Sequence, residues 1–417
     1  MSSQKFFPIK TETACQLKWN WSTIHLYKGK TSSCCRTGSG PFSVENFDDF
    51  HNTDVKIKDR QDMLAGLWPD SGCDYCAKVE AVGGFSERNR HANIPDLVPA
   101  ELDHDPTAVK VTPAILEVYF DYTCNLGCLY CSPEISSTIN QENIKFGLFD
   151  QNGVRLDSVS IYPEYQQALD KFWQWMGKNS HKLKRFSVLG GEPFYQRQFE
   201  NCIEYFETHP HPELEFGLVT NLTLDPKRLD QWLDRFKNLL AQRKLKRIDI
   251  TCSIDTWGTE QEFVRWGLDL ETWERNFEKL LKHKWLTINI NQCISVLTIK
   301  NMPALIEKLN KWRQQHIIGH WFGMVEPEPT WLRPDVLGSG IFDQDFESVL
   351  KLMPQDSDVE RDVWQQMNSV AEFVKQSKRN NIELLKLKTF LDEKDRRRGT
   401  NWRQQFPWLE KELIHVV

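Results

Sequence analysis

Three cysteines within eight residues are the most chemically specific feature of this sequence. They are Cys124, Cys128 and Cys131, and Gly127 relaxes the tight turn that their loop must make. Three thiolates can bind a cubane iron–sulfur cluster and leave its fourth iron open, whereas four ligands suit electron transfer. Zinc is the competing interpretation, but no fourth Cys or His follows at zinc-finger spacing. The pattern therefore favours an open [4Fe–4S] cluster.

Five further cysteines precede this loop, and they suggest a second metal site. Cys73 and Cys76 form a knuckle, and a knuckle combined with two distant cysteines makes a four-thiolate site for zinc or iron–sulfur. Cys15, Cys34 and Cys35 are the candidates for the two distant ligands. Structural zinc and redox disulfides remain alternatives to an iron–sulfur cluster here.

Composition and charge indicate the cellular compartment of the protein and exclude some classes of partner. The chain has 417 residues, 11 cysteines and a formal net charge of -6, which argues against a general nucleic-acid partner. No run of about 18 apolar residues occurs, and the first ten residues lack the apolar stretch of a signal peptide. We therefore expect a cytoplasmic protein without a membrane span, in a compartment where disulfides are uncommon.

Strand and helix patterns alternate through the middle of the chain, as in repeated βαβ units with a parallel sheet. The predicted strands are Ile115–Phe120, Phe186–Leu189, Phe216–Thr220, Ile248–Ile254, Thr287–Val296 and Trp321–Val325. The predicted helices between them are 161–178, Tyr195–Thr208, Pro226–Leu240, Thr272–Lys282 and Met302–Gln315. Six such units predict an α/β fold, a partial (β/α)6 TIM-like barrel over 111–326, with its working residues at the carboxyl ends of the strands.

The two flanks differ from this core. Residues 1–110 hold five cysteines, many turn-forming residues and little periodicity, so they are predicted to form a cysteine-rich module. Residues 327–417 are predicted to form a helical C-terminal extension. Its charged run Asp392–Arg398 is expected to be a solvated helix end.

The cysteine loop, with Tyr130 just before its last cysteine, resembles that of the radical S-adenosylmethionine (AdoMet) superfamily. Further matches to that family stand at the ends of successive predicted strands. They are Gly190, Gly191, Glu192 and Pro193 (the GGEP motif), Thr220 and Asn221 (TN), Ser253 and Asp255 (S-x-D), and Arg265. Each short motif is weak alone, but their order along the strands makes the joint match specific.

The resemblance implies a cofactor and a kind of chemistry. AdoMet would bind the open iron of a [4Fe–4S] cluster, with Glu192 and nearby backbone groups holding its amino group and Arg265 its carboxylate. An external electron donor would reduce the cluster, and AdoMet would then be cleaved to methionine and a 5′-deoxyadenosyl radical that removes a hydrogen atom from the substrate. The sequence names no general acid, base or hydrogen-atom donor.

The N-terminal cysteines are similar to a second module of this family, the SPASM/twitch auxiliary-cluster type. The likeness lies in the adjacent cysteines, in Arg60, Met63 and Gly66, and in the closing knuckle. It implies an auxiliary [4Fe–4S] cluster bound by Cys15, Cys34, Cys73 and Cys76, with Cys35 unassigned. Most SPASM enzymes carry this module after the barrel, whereas here it precedes it.

Auxiliary-cluster members of the family mostly modify peptides, so the resemblance implies a ribosomally made precursor peptide as substrate. Backbone excision, as in the peptide spliceases, crosslinking and epimerisation are the outcomes to consider. Because residues 1–110 leave no room for a winged helix-turn-helix, a separate peptide-recognition protein is an expected partner. The alternative is radical modification of a small metabolite or nucleoside.

Overall fold

A large, mainly parallel sheet forms the centre of the fold. The computed structural model describes residues 5–34, 36–81, 86–92, 94–147, 149–151, 154–156, 161–325 and 328–414. The strands in this part of the chain are β1 (Trp21–His25), β2 (Lys30–Ser32), β3 (Gly40–Pro41), β4 (Ile115–Tyr119), β5 (Gly127–Cys128), β6 (Phe149–Gln151), β7 (Val154–Leu156), β8 (Arg185–Leu189), β9 (His211–Thr220), β10 (Leu245–Ser253), β11 (Arg265–Trp266), β12 (Thr287–Ile294) and β13 (Ile318–Met324).

Helices lie between most of these strands and continue after the last one. They are α1 (Gln16–Asn20), α2 (Asp54–Leu64), α3 (Asp74–Ala81), α4 (Glu87–Arg90), α5 (Ser137–Phe146), α6 (Tyr165–Asn179), α7 (Arg197–Thr208), α8 (Pro226–Ala241), α9 (Thr259–Val264), α10 (Leu270–Leu281), α11 (Met302–Arg313), α12 (Asp343–Leu352), α13 (Asp358–Lys375), α14 (Asn381–Arg398), α15 (Trp402–Gln405) and α16 (Pro407–Leu413). None of these described helices is long and apolar enough to cross a bilayer.

The order of strands in the sheet follows the order in the chain. The main sheet runs β13-β12-β10-β9-β8-β4-β1-β2-β3, and all neighbours from β13 to β1 are parallel. Because parallel neighbours need a crossover, the connecting helices return the chain each time to the same end of the sheet. The carboxyl ends of these strands therefore meet along one edge. This confirms the expected α/β fold with a large parallel sheet.

One face of the sheet carries the hydrophobic core. A single row across five strands, in register, is at most 2% exposed and consists of Val118, Val188, Leu218, Ile250 and Ile288. The helices cover this row with apolar side chains at helical spacing, as α7 does with Phe199, Ile203 and Phe206. The alternation of buried and partly exposed residues along β8 and β12 follows from this one-sided packing.

The N-terminal region contributes more to this sheet than its sequence indicates. Strand β1 lies parallel to β4, pairing Trp21 with Ile115 and His25 with Tyr119. Strands β2 and β3 then extend the sheet in antiparallel fashion. The carboxyl end of β1 therefore lies at the same edge as those of the predicted strands.

Candidate active site

The cysteine loop leaves β4 and is held against the sheet from two sides. Strand β5, which contains Cys128, pairs with β11, and the Leu129 amide donates to the Val264 carbonyl at 2.8 Å. On the other side, the Thr138 hydroxyl donates to the Cys124 carbonyl at 2.6 Å. A Cβ on Gly127 would lie 3.0 Å from Trp266 and 3.1 Å from Arg398. Glycine is therefore needed for close packing here, as well as for the expected turn.

The three thiols of the loop lie close enough to influence one another. Burial and then Cys128 raise the pKa of Cys124 to about 12, and burial, then Cys128 and Cys124, raise the pKa of Cys131. Such thiols stay protonated unless a cation compensates the thiolate charge, which is what a bound iron–sulfur cluster does. The donor set and its burial fit that group. Within the described ranges, no three His, Cys, Asp or Glu side chains form a site for a single metal ion.

The GGEP segment follows β8 and touches the cysteine loop. Gly190 and Gly191 both have positive φ, at 84° and 54°. A Cβ on Gly191 would lie 2.2 Å from the Thr123 carbonyl, so only glycine lets the two segments meet. The Glu192 amide then donates to that same carbonyl at 2.8 Å. Pro193, also buried, begins the single turn that follows.

Glu192 is a buried carboxylate fixed by the end of β9. It accepts hydrogen bonds from the Thr220 hydroxyl at 2.8 Å and from the Asn221 amide at 2.6 Å. Burial raises the pKa of Glu192 to about 7, although these donors act against that shift. The Asn221 side-chain amide in turn donates to the side-chain Oδ1 of Asn125, inside the cysteine loop, at 2.9 Å. The TN motif thus connects Glu192 with the loop.

Asp255 and Arg265 form a second buried node beside the cysteines. The guanidinium donates from Nε and one Nη to the two carboxylate oxygens, at 2.8 and 2.9 Å. The Tyr130 hydroxyl and the Cys293 amide donate to the same carboxylate at 2.6 and 2.9 Å. Ser253, at the end of β10, is 7% exposed nearby. Arg265 is thus held by Asp255, a partner that sequence analysis did not assign to it.

The structure therefore brings the predicted core residues together along one edge. Asn125 and the Cys293 backbone belong to the same network but carry no motif that would single them out. The Cys293 side chain is partly buried, and its pKa is raised by burial and then by Asp255, Cys128 and Cys131. Cys202 and Cys252 are fully buried in the hydrophobic core.

Four N-terminal cysteines also converge. Cys15, Cys34, Cys73 and Cys76 line one cavity, and the first three of them are buried. Burial and then Cys34 raise the pKa of Cys15 to about 12, and burial raises the pKa of Cys73 to about 11. Cys35 lies outside the described residues, so the preference for Cys34 stays a prediction.

Arg60 and Met63, the matched residues of the N-terminal motif, pack beside this group of cysteines. Both side chains are fully buried, and Arg60 donates to the carbonyls of Lys18 and Val109 at 2.8 and 2.7 Å. Lys18, which lies on α1 just after Cys15, pairs with Asp59 at 2.5 Å. The motif therefore positions the segment that carries Cys15.

The charged run of α14 is not the solvated helix end that was expected. The side chains of Lys394, Arg397 and Arg398 are only 1–2% exposed, and Lys394 and Arg398 both donate to Glu142 on α5. The Arg398 Nε meets Glu142 at 2.7 Å. Since α5 directly follows the cysteine loop, this network fixes the C-terminal helix against that loop.

Replacing Glu142 with Gln tests this network. The substitution leaves buried cations without their compensating charge, so the free energy of unfolding should fall by about 3–5 kcal/mol. Denaturant unfolding followed by circular dichroism measures the change. Glu271→Gln is the control, because Glu271 is 88% exposed beside Arg275 and should change stability by less than about 0.5 kcal/mol. Equal stability of the two variants would contradict this assignment.

Comparison with known proteins gives structural neighbours only. No protein-family model and no curated protein matches this sequence. A structure of anSMEcpe with bound AdoMet is 19% identical, covers 63% of this chain and 60% of that one, and has a TM-score of 0.35. Streptococcus suis SuiB bound to precursor peptide SuiA is 13% identical, covers 72% and 62%, and has a TM-score of 0.33.

These likenesses are partial. The chain spans about three fifths of the length of both neighbours. Because the TM-scores are low, conclusions about the fold and activity of this chain are drawn from its own residues and not from these neighbours. SuiB has also been solved with S-adenosylmethionine, at 14% identity and a TM-score of 0.34. These structures thus include one with bound peptide and two with bound AdoMet.

Proposed function

We propose that this chain is a radical AdoMet enzyme that abstracts a hydrogen atom from a residue of a ribosomally made peptide. The observation that carries the proposal is the edge of the sheet at which three thiols, a buried carboxylate and a buried arginine meet. Glu192 and Arg265 come from two other segments, and backbone hydrogen bonds join each of them to the loop that carries Cys128. A structural zinc site has no use for the last two.

The bound group would supply one-electron cleavage of AdoMet to methionine and a 5′-deoxyadenosyl radical, with the electron from an external donor. Glu192 can accept roughly four hydrogen bonds, and protein groups described here supply three of them. An ammonium group such as that of AdoMet fits the remaining position. Arg265 uses Nε and one Nη for Asp255, so its other Nη is the group that would meet the AdoMet carboxylate.

The second face of the sheet supports a peptide as the substrate. Thr251 pairs in register with Asn289, and Asn291 pairs with Trp321. Of these, Asn291 and Trp321 are exposed, while the other two are partly exposed. Amide and hydroxyl groups on an open surface suit the polar backbone of an extended chain, whereas a small metabolite favours an enclosed pocket. Backbone excision, crosslinking or epimerisation would each follow hydrogen abstraction from one residue.

The proposal includes an auxiliary [4Fe–4S] cluster on Cys15, Cys34, Cys73 and Cys76, supported by the cavity that these cysteines share. Four thiolates would suit electron transfer to or from the substrate radical rather than substrate binding. A separate peptide-recognition protein and a cytoplasmic location, where thiols stay reduced, complete the proposal.

Iron counts test both sets of cysteines. After anaerobic reconstitution we expect about eight irons per wild-type chain, since each cluster holds four. The Cys124, Cys128 and Cys131 triple Ala variant should keep about four and form no 5′-deoxyadenosine from AdoMet and dithionite. Replacement of Cys73 and Cys76 should also leave about four. Cys202→Ala, within α7, is the control and should keep about eight irons per chain, as in the wild type. A fully loaded, reduced wild-type chain that does not cleave AdoMet would sink the proposal.

Glu192→Gln tests the proposed ammonium contact. Loss of one charge-assisted hydrogen bond should weaken AdoMet binding roughly 10- to 100-fold, measured by equilibrium dialysis with the reconstituted protein. Because the pKa of Glu192 is about 7, wild-type affinity should rise as the pH increases through 7, when the carboxyl loses its proton. The variant should lose this dependence. Glu200→Gln, an exposed position on α7, is the control, and equal behaviour of the two variants would argue against the contact.

Trp321→Ala tests the substrate class. A precursor peptide encoded beside the gene should stimulate 5′-deoxyadenosine formation and emerge with a changed mass. Trp321 lies on the open face and is 58% exposed. Loss of its side chain should therefore raise KM for the peptide, while AdoMet cleavage measured without peptide should not change. Ile317→Ala, 90% exposed just before β13, is the control. Turnover of a small metabolite with no peptide present would favour the alternative substrate class.

A further inference from the structure

Arg398, at the end of α14, is a buried cation whose hydrogen-bonding capacity is only partly used. Its side chain is 2% exposed, and its Nε donates to Glu142 at 2.7 Å. Both Nη atoms are buried and have no hydrogen-bond partner in the described part of the chain. Leaving charged donors without acceptors costs more than leaving neutral ones, so this position calls for an acceptor that the polypeptide does not provide.

The adjacent residue shows that this shortage is specific to Arg398. Arg397 is equally buried, yet its Nε donates to Glu393, one Nη to Asn143 at 3.1 Å and the other to the Gly147 carbonyl at 3.0 Å. The same turn of helix thus contains one arginine that is bonded at all three nitrogens and one that is bonded only at Nε.

The two unused groups of Arg398 lie at the cysteine loop. One Nη is 3.1 Å from the position that a Cβ on Gly127 would take, and Gly127 lies between Cys124 and Cys128. The guanidinium stacks over the Trp266 ring, 4.9 Å from its centre.

The surroundings carry a surplus of positive charge. Lys394, Arg397 and Arg398 share Glu142 and Glu393 as their acidic partners. Burial and then Arg398 lower the pKa of Lys394 to about 8, as expected where cations crowd together. An anionic group with several acceptor atoms beside Gly127 would remove both the charge surplus and the shortage of acceptors. Thiolate and sulfide sulfurs of a cluster meet both needs.

We infer that Arg398 donates hydrogen bonds to the sulfur atoms of the cluster held by Cys124, Cys128 and Cys131, and so raises its reduction potential. This inference rests on the proposed function. Reduction adds one negative charge to the cluster, and a fixed cation with two N–H donors stabilises that state over the oxidised one. Arg398 would thus contact the cofactor directly, and the C-terminal helix would become part of the redox centre.

The test compares Arg398→Gln and Arg398→Lys with Arg396→Gln, all in the full chain. Arg396 is the matched control because it lies two positions before Arg398 but is 58% exposed. Iron content and thermal unfolding are measured first. Redox titration followed by electron paramagnetic resonance then gives the midpoint potential of the cluster, and its signal is identified by its change when AdoMet is added.

A lower midpoint potential in Arg398→Gln, a smaller decrease in Arg398→Lys and none in Arg396→Gln are expected. Should Arg398→Gln not fold, the lysine variant decides, since it keeps the charge and loses the planar fork. An unchanged midpoint in the folded variant overturns the inference while leaving the proposed function intact. A wild-type chain that binds no cluster at these cysteines contradicts the proposed function, and the inference with it.

Discussion

The buried ion pair between Asp255 and Arg265 holds the cysteine loop in place. Asp255 follows β10, while Arg265 begins the short strand that pairs with Cys128. Tyr130 and the Cys293 amide donate to the same carboxylate, so the loop and two further segments share one acceptor. A buried pair repays its desolvation only when such additional hydrogen bonds are made. Because Tyr130 donates to the same carboxylate as Arg265, a shift of the loop would break its hydrogen bond to this ion pair.

Close approach of the strand ends is the second constraint, and glycine makes it possible. Gly190 lies against Tyr119 of β4, Gly191 brings the end of β8 into contact with the loop, and Gly127 admits Trp266 and Arg398. Side chains at these positions would displace the backbone or the buried cation. Glu192 then reaches the loop through its own amide rather than through a flexible side chain. The strand ends and the loop are thus joined by close backbone contacts and hydrogen bonds.

Sequence patterns predicted the parts of this frame that depend on local or periodic signals. The alternation in β8 to β12 and the motifs at the strand ends placed Glu192, Asn221 and Asp255 correctly on one edge. Two features were missed because they depend on partners far along the chain. Strand β1 pairs with β4 across about ninety residues, and the cationic end of α14 meets Glu142 from about 250 residues away. Sequence patterns predict that a charged run is solvated when its acidic partner lies far away along the chain.

The two arginines at the cysteine loop, Arg265 and Arg398, differ in how far hydrogen bonds and acidic partners compensate their charge. Arg265 gives two of its nitrogens to Asp255 in a bidentate pair, so its charge is largely compensated and its main effect is geometric. Arg398 shares Glu142 with two further cations and keeps two donors unused, so its charge is available to whatever the loop binds. A fold that only needed a stable loop would compensate both. This difference between the two arginines is the basis for assigning the proposed hydrogen bonds to the cluster to Arg398 rather than to Arg265.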